Sequence, residues 1–251
     1  MKTWAHRECP VCGGPYEYVA MYNQRRIGIC SDCTHVFVAT PLVDEEYRKM
    51  FQGQEAFTRN YGHLGINSIN DHSLWEGWVS NRMNNMKGTL GLNDTLRSPL
   101  RIAEVGCLEG RFLTELAAHG HEVMGCDLNH EVISIGRKEF GMDLRAGTIC
   151  ECMPIWGSFD LVLAIHVLHF WPCPMTELAS WVRLLAPGGR LLIDLPLNRT
   201  DYQTQDCMQY FNEQSARTLL ETFFPHLDFH MHPVGHHAHL HKDTGTFVGY
   251  L

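Results

Sequence analysis

The sequence predicts an α/β protein with a parallel sheet covered by helices, preceded by a small zinc-ribbon domain and a helical linker. From Leu100 onward, strand-like apolar runs alternate with helical segments, a pattern typical of a parallel sheet with both faces covered. Near the N-terminus, four cysteines form two closely spaced pairs. The composition changes again between these two parts. We therefore expect domains at residues 1–42, 43–98 and 99–251.

The composition excludes several classes of protein. Of 251 residues, 45% are hydrophobic and 19% charged, so the chain can bury a large core and is neither disordered nor fibrous. The longest apolar run, from Leu161 to Trp171, is about half as long as a membrane-spanning helix requires. With no recognisable signal peptide, we expect a cytoplasmic protein without a membrane partner. The formal net charge of -8 disfavours nucleic acid as a partner.

The N-terminal cysteines have the spacing of a structural zinc site. Two Cys-x-x-Cys turns, separated by 17 residues, supply four thiolates: Cys9, Cys12, Cys30 and Cys33. Four cysteine ligands fill a tetrahedral Zn²⁺ site and leave no position for a catalytic water. The residues between the turns alternate like two short strands. The alternatives are a redox Cys-x-x-Cys motif and four unrelated thiols.

The linker carries an apolar helical face. Asp44 is a plausible N-cap for a first helix. Further on, four large apolar residues have the spacing of one helix face: Trp75, Trp78, Met83 and Met86. This face either packs the linker onto the next domain or forms the roof of a small-molecule pocket.

The third segment consists of alternating strands and helices. We predict strands at residues 101–105, 121–126, 159–165 and 190–195. The predicted helices cover residues 111–119, 131–140 and 175–185, and the last of them stops before the sequence Ala186-Pro187-Gly188-Gly189.

The turn after the first predicted strand has the features of a nucleoside site. Gly106 allows a tight bend, and Gly110 lets the next helix begin close to a ligand. The second strand ends at Asp127, 21 residues after Gly106, where a carboxylate can accept hydrogen bonds from ribose hydroxyls. A dinucleotide would require GxGxxG, and Glu109 places an acidic group where its phosphate would lie. A cationic sulfonium nucleoside fits better.

With these motifs, residues 100–251 resemble a class I S-adenosylmethionine-dependent methyltransferase. The first motif, Glu104 to Gly110, and the acid Asp127 carry the resemblance, together with segments at residues 147–154, 159–169, 185–191 and 210–221. The ribbon resembles that of a bacterial subgroup with this domain. The resemblance implies a seven-stranded Rossmann-like methyltransferase sheet. It also implies S-adenosyl-L-methionine contacts at Glu104, Gly106, Cys107, Gly110, Asp127, Leu128, Thr148, Ile149 and Ile165.

The chain departs from the family pattern at two positions. Leu108 stands where the family has the middle glycine of the first motif, so we expect the methionine end of the cofactor to be displaced. Thr148 stands where an aspartate is usual, so a hydrogen bond to the adenine amino group is lost or comes from the backbone. The Glu-x-x-Glu-His set that holds Mg²⁺ in similar O-methyltransferases is absent, as is the Asn-Pro-Pro-Tyr motif of macromolecular N-methylation.

Two histidines are candidates for catalysis. Methyl transfer is an in-line displacement that depends on alignment, and it needs a base only when the acceptor is protonated. Ligands of open α/β sheets lie at the carboxyl ends of the strands, where His166 and His169 follow the predicted strand at residues 159–165. Histidine changes charge near neutral pH, so either residue is a candidate general base. The alternative is a structural role for one or both.

The C-terminal region is rich in histidine. On a strand, three imidazoles would share one face: His237, His239 and His241. They could bind a transition metal, line the acceptor pocket or lie at a solvated edge.

These observations favour a methyltransferase for a small-molecule acceptor, such as a sugar derivative or a secondary metabolite, methylated on oxygen, nitrogen or carbon. One alternative is an RNA methyltransferase whose ribbon contacts RNA. Another is a non-catalytic binding module with the same fold. The sequence does not indicate the oligomeric state.

Overall fold

The computed structural model describes residues 2–22, 25–61, 99–156, 158–198, 206–233 and 243–251. The predicted apolar face of the linker, from Trp75 to Met86, lies outside the described residues, and so do the histidines at positions 237, 239 and 241. None of the helices described in the structure has the length and hydropathy of a membrane-spanning segment.

The described strands and helices follow one another as the alternation predicts. The strands are β1 (Tyr16–Tyr22), β2 (Arg25–Cys30), β3 (Val36–Val38), β4 (Arg101–Val105), β5 (Glu122–Asp127), β6 (Asp143–Ala146), β7 (Phe159–Ile165), β8 (Leu185–Leu197), β9 (Gln209–Tyr210), β10 (His226–Pro233) and β11 (Asp243–Tyr250). The helices are α1 (Asp44–Lys49), α2 (Gly53–Tyr61), α3 (Arg111–Ala118), α4 (His130–Phe140), α5 (Ile149–Trp156), α6 (Pro174–Val182) and α7 (Glu213–Leu220).

The larger sheet has the number of strands that the resemblance implies. Seven strands are arranged in the order β10-β11-β8-β7-β4-β5-β6. Strands β4, β5 and β6 are parallel, whereas β10 and β11 form an antiparallel pair. Every residue of β7 except Asp160 is buried, as expected for a strand covered on both faces. The predicted seven-stranded Rossmann-like sheet is confirmed.

The smaller sheet belongs to the ribbon. Its strand order is β1-β2-β3-β9, and all three pairings are antiparallel. The predicted pair of short strands between the cysteine turns is present as β1 and β2. Strand β9 was not predicted from the sequence; it has two residues, comes from the C-terminal half and pairs with β3 at Val36 and Phe37.

Some element boundaries differ from the prediction. Helix α6 begins at Pro174 and ends at Val182, because the carbonyl of Leu184 already accepts the N–H of Phe159 in the sheet. The segment at residues 210–221 does not begin as a helix, because Tyr210 belongs to strand β9. Helix α7 starts after Asn212, whose side chain accepts the N–H of Ser215 in a capping box. Asp44 is the first residue of α1 and not its cap.

The chain divides into two compact units. One contains residues 1–47, 164–183 and 191–251, and the other contains residues 48–163 and 184–190. The three domains expected from the sequence remain a prediction.

Candidate functional site

The four N-terminal cysteines converge in the ribbon. Their Sγ atoms all lie within 4.8 Å of one another. The sulfurs of Cys9 and Cys33 are 3.7 Å apart, and those of Cys12 and Cys30 are 3.5 Å apart. A tetrahedral site with Zn–S bonds of about 2.3 Å requires sulfurs about 3.8 Å apart. None of the four cysteines forms a disulfide, so all four sulfurs are available as ligands. The spacing of the sulfurs fits the predicted zinc ion.

The first cysteine turn orients its sulfurs through backbone amides. The N–H groups of Val11 and Gly14 donate to the sulfurs of Cys9 and Cys12, each at 3.4 Å. Gly13 has a φ of 75°, a conformation that glycine adopts at little cost. Amides directed at sulfur stabilise a thiolate, the form of cysteine that binds metal.

The glycine turn after β4 adopts the predicted tight bend. Gly106 has a φ of 70° and donates its N–H to the carbonyl of Cys126 on β5 at 2.7 Å. Gly110 has a φ of 79°, and a Cβ there would come within 3.0 Å of the Leu144 side chain. Gly110 therefore permits both the left-handed backbone and the close approach of the turn to β6.

Leu108 is the strained residue of this turn. Its φ is 52°, in the left-handed region that a branched side chain rarely occupies. Its N–H donates to Asp127 Oδ2 at 3.1 Å, which holds the turn against the end of β5.

Asp127 lies at the carboxyl end of β5, as predicted. Its Oδ1 accepts the N–H of Asn129 at 2.8 Å, while Oδ2 accepts the N–H of Leu108. The pKa of Asp127 is raised to about 6, chiefly by burial and to a smaller extent by the charge of Glu109, while these two backbone hydrogen bonds oppose the shift. The carboxylate therefore has a fixed orientation.

A small cleft lies at the glycine turn. It is lined by the predicted residues Glu104, Gly106 and Cys107, and also by Arg111 and Phe112, which the sequence reasoning did not single out. Glu109 lines it as well, is 3% exposed, and forms an ion pair with Arg111 at 3.2 Å. The negative charge that we expected there is thus partly balanced by a cation.

Thr148 begins helix α5 as part of a capping box. Its N–H and its Oγ1 both donate to Glu151 Oε2, at 2.7 and 3.0 Å, and its Oγ1 accepts the N–H of Glu151 at 3.4 Å. Ile149, the next predicted cofactor residue, is 1% exposed. The side chain of Thr148 therefore serves the helix terminus.

The linker contributes residues at the end of β5 that the sequence did not indicate. Gln52 donates its side-chain amide to the carbonyl of Leu128, a predicted cofactor residue. Asn129 donates to the carbonyl of Gly53 at 3.3 Å. These contacts hold the start of α2 beside the end of β5. A single glutamine in the sequence does not indicate such a contact.

The loop after β7 holds both predicted catalytic histidines. Ile165 ends the strand and is 7% exposed. His166 follows with a φ of 54°, and its Nε2 lies 3.4 Å from Asp194 Oδ2 on β8. Asp194 Oδ1 accepts the hydroxyl of Thr246 on β11 at 3.0 Å. Neither Asp194 nor Thr246 was predicted from the sequence.

His169 has a different environment from His166. It is 3% exposed, and its ring packs on Phe170 with the centroids 4.0 Å apart. Its backbone carbonyl accepts the N–H of Met208, whose own carbonyl accepts the N–H of Val38 in the ribbon strand β3. Its catalytic role stays a prediction, and the geometry favours His166.

Comparison with known proteins agrees with this geometry. Residues 103–193 match the family model described as a methyltransferase domain. The chain is 31% identical over 106 residues to a ubiquinone biosynthesis O-methyltransferase of Xanthomonas oryzae, covering 40% of this chain and 44% of the relative. It is 28% identical over 115 residues to the O-antigen chain terminator bifunctional methyltransferase/kinase WbdD of Escherichia coli, covering 41% of this chain and 16% of that one. The match thus spans less than half of these curated relatives.

Solved structures show the same fold. The magnesium protoporphyrin IX methyltransferase of Synechocystis, with bound S-adenosylhomocysteine, has a TM-score of 0.60 at 12% identity, covering 83% of this chain and 99% of that one. The 1,6-didemethyltoxoflavin-N1-methyltransferase of Burkholderia thailandensis has a TM-score of 0.59 at 22% identity, covering 93% and 98%.

Proposed function

We propose that the chain, whose residues 103–193 match the family model of a methyltransferase domain, transfers a methyl group from S-adenosyl-L-methionine to a small-molecule acceptor. The observation that carries the proposal is the carboxylate of Asp127. It lies at the end of β5 and is oriented by two backbone amides, one of them from the glycine turn. This is the place at which a strand-end acid binds ribose in folds of this kind.

The residues around the cleft suit the cofactor. Asp127 would accept hydrogen bonds from the ribose hydroxyls, and the turn from Gly106 to Gly110 would approach the methionine part. Glu104 and Glu109 line the cleft and would face a cofactor that carries a positive sulfonium. Ile149 and Ile165 would supply apolar contacts, since both are buried. Thr148 is engaged in capping α5, so the adenine amino group would be bound by backbone atoms.

The chemistry requires alignment more than activation. The cofactor supplies an electrophilic methyl group, and the protein holds the acceptor in line with it. His166 is the candidate general base, because it follows β7 directly and its side chain is 31% exposed. His169 is buried and suits a positioning role better.

The proposal of a small acceptor rests on charge and on the proteins that are similar. The net charge of -8 is unfavourable for a polyanionic substrate. The Burkholderia structure contains 1,6-didemethyltoxoflavin, a small molecule, and the Xanthomonas relative is a ubiquinone biosynthesis enzyme. By analogy, we propose a small cyclic or sugar-derived metabolite as the acceptor.

The ribbon would hold one structural zinc ion. Cys9, Cys12, Cys30 and Cys33 would be its ligands, and they complete the tetrahedron without a water position. Zinc there would stabilise the ribbon and take no part in methyl transfer.

Two measurements test the proposal. Calorimetric titration of the full chain with S-adenosylhomocysteine should show one site, and Asp127→Asn should weaken it about 10- to 100-fold, the cost of a hydrogen bond to a charged group. Release of S-adenosylhomocysteine should then be measured with a panel of dihydroxybenzoates, N–H heterocycles, sugar derivatives and thiols. Wild-type protein that binds no S-adenosylhomocysteine at saturating concentration would contradict the proposal.

A further inference from the structure

We propose that Asn129 and the linker residue Gln52 are positioning residues for the cofactor: they hold the loop after β5, and through it the ribose-binding carboxylate of Asp127. We assign neither of them a direct contact with the cofactor, and neither was predicted from the sequence. The inference rests on the proposed methyltransferase function. It makes the linker a part of the cofactor site.

The first argument is that Asn129 connects three parts of the structure. Its backbone N–H donates to Asp127 Oδ1 at 2.8 Å, and its side-chain oxygen accepts the N–H of Glu131 at 3.0 Å, which caps α4. Its side-chain amide donates to the carbonyl of Gly53 at 3.3 Å. The residue is only 5% exposed. A change in its side chain therefore reaches the carboxylate through a single backbone amide.

The second argument is the place at which the linker binds. Gln52 donates its side-chain amide to the carbonyl of Leu128. The next residue, Gly53, accepts the amide of Asn129. Two consecutive linker residues thus hold the two residues that directly follow Asp127. Helix α2, which begins at Gly53, also contacts α4. The loop after β5 is therefore fixed both by α4 and by the linker.

The linker also reaches the next loop of the sheet, after β6. Arg48 Nη1 lies 3.0 and 3.2 Å from the two carboxylate oxygens of Glu151. Glu151 in turn accepts the N–H and the hydroxyl of Thr148 at the start of α5. The side chains of this ion pair are 35% and 51% exposed, and exposed pairs contribute little free energy. We therefore assign the ordering of the site to the buried Asn129 and not to this pair.

A fixed carboxylate binds ribose at a lower entropic cost than a rotating one. Asp127 accepts one backbone N–H on each oxygen, from Asn129 and from Leu108, and each oxygen can accept a further hydrogen bond from a ribose hydroxyl. The N–H of Asn129 also lowers the pKa of Asp127, because it stabilises the ionised form. The charge of Glu109 acts in the opposite direction. Weakening the Asn129 contact should therefore reduce affinity and raise this pKa.

Calorimetric titration of three variants with S-adenosylhomocysteine tests the inference. Asn129→Ala removes both the cap of α4 and the bond to the linker. Asn129→Ser keeps an acceptor for the cap but is too short to reach Gly53. Gln52→Met keeps the size of the side chain and removes the donor to Leu128. We expect the affinity to fall about 2- to 10-fold in each variant, the net contribution of one hydrogen bond, and most in Asn129→Ala.

Two further readouts distinguish positioning from a general loss of stability. 5′-Methylthioadenosine keeps the ribose but lacks the amino-acid part of the cofactor, so its affinity should fall by the same factor as that of S-adenosylhomocysteine. The wild-type affinity should fall as the pH drops through about 6, the pKa of Asp127. In Asn129→Ala the midpoint of this pH dependence should lie at a higher pH.

Asn212→Ala is the matched control. Asn212 caps α7 by accepting the N–H of Ser215 at 2.8 Å, and its amide donates to the carbonyl of Thr34 at 3.3 Å. It thus makes the same two kinds of bond as Asn129, at a helix outside the proposed cofactor site. Its variant should lower thermal stability and leave the affinity and the pH midpoint unchanged. Gln54→Met is the control for Gln52, since the Gln54 amide donates to a hydroxyl within α2.

The outcomes separate the two proposals. A wild type that binds S-adenosylhomocysteine, with unchanged affinity and pH midpoint in Asn129→Ala, would overturn this inference and leave the methyltransferase proposal intact. So would an equal loss of affinity in Asn212→Ala. If Asn129→Ala does not fold, wild-type affinity in Asn129→Ser and Gln52→Met counts against the inference. A wild type that binds no S-adenosylhomocysteine contradicts the proposed function and this inference with it.

Discussion

Leu108 combines a left-handed backbone with a large side chain in the turn that meets the proposed cofactor. Its φ of 52° is one that glycine adopts freely. The sequence comparison with the family had indicated a departure here, and the structure gives its physical consequence, which is local strain.

Two substitutions at this position separate strain from packing. Leu108→Ala removes the side chain but keeps the Cβ, whereas Leu108→Gly removes both. We expect the glycine variant to be more stable than the alanine variant by about 1 kcal/mol, because the left-handed penalty disappears. Urea unfolding measures both free energies. Equal stabilities would show that the backbone at Leu108 is unstrained.

Asp127 predicts a pH dependence of cofactor binding. Burial raises the pKa of this carboxyl to about 6 in the free protein, and its ionised form is the better acceptor for ribose hydroxyls. Affinity for S-adenosylhomocysteine should therefore be constant above pH 7 and fall as the pH drops through about 6, by up to about tenfold per unit. Calorimetry at several pH values checks this.

The control for this prediction is a carboxylate elsewhere in the same unit. Asp143 on β6 forms an ion pair with Arg145 at 2.8 Å and is exposed. Asp143→Asn should keep the wild-type pH dependence, whereas Asp127→Asn should lose it. A pH dependence that persists in Asp127→Asn would assign the titration to another group.

Some site residues could be found from sequence and others could not. Asp127 was identifiable because strand-end acids follow the glycine turn at a regular spacing. Asp194 and Thr246 were not, since 52 residues separate them and only the pairing of distant strands brings them together. Thr148 stands where the family usually has an aspartate. The sequence shows this substitution, but only the structure shows that the Thr148 side chain caps a helix.

At the level of elements, the alternation of apolar runs was sufficient to predict β4, β5, β7 and β8. Strands β6 and β9 were not foreseen, because runs of four and two residues carry little periodicity. Strand β9 depends on tertiary contacts: Gln209 donates to the carbonyls of Trp171 and Pro172 at 2.9 and 3.0 Å and bonds to the ring of His35 at 2.8 Å.

The four cysteines of the ribbon predict that the protein contains zinc. The purified protein should contain one zinc per chain, and Cys12→Ser should lower that content and the thermal stability, since a structural metal contributes directly to folding. Cys150→Ser is the matched control, because both cysteines are exposed but Cys150 lies outside the cluster. Atomic emission and thermal melts measure the two quantities. Equal zinc contents in Cys12→Ser and Cys150→Ser would show that Cys12 is not a zinc ligand.

At the level of the whole molecule, charge discriminates between small and macromolecular acceptors. With a net charge of -8, the chain should show no salt-sensitive binding to structured RNA at physiological ionic strength. Fluorescence anisotropy with a labelled hairpin at several salt concentrations measures this. Affinity that falls steeply with salt would favour the RNA methyltransferase alternative, in which the ribbon contacts RNA.

The turn from Gly106 to Gly110 and Asp127 together form the proposed binding site for S-adenosylmethionine. A crystal structure of the chain with S-adenosylhomocysteine is the decisive experiment. We expect ribose hydroxyls within hydrogen-bonding distance of the Asp127 carboxylate and the remainder of the cofactor along the glycine turn. Empty density at the turn under saturating ligand, or an adenosine bound elsewhere, would contradict it.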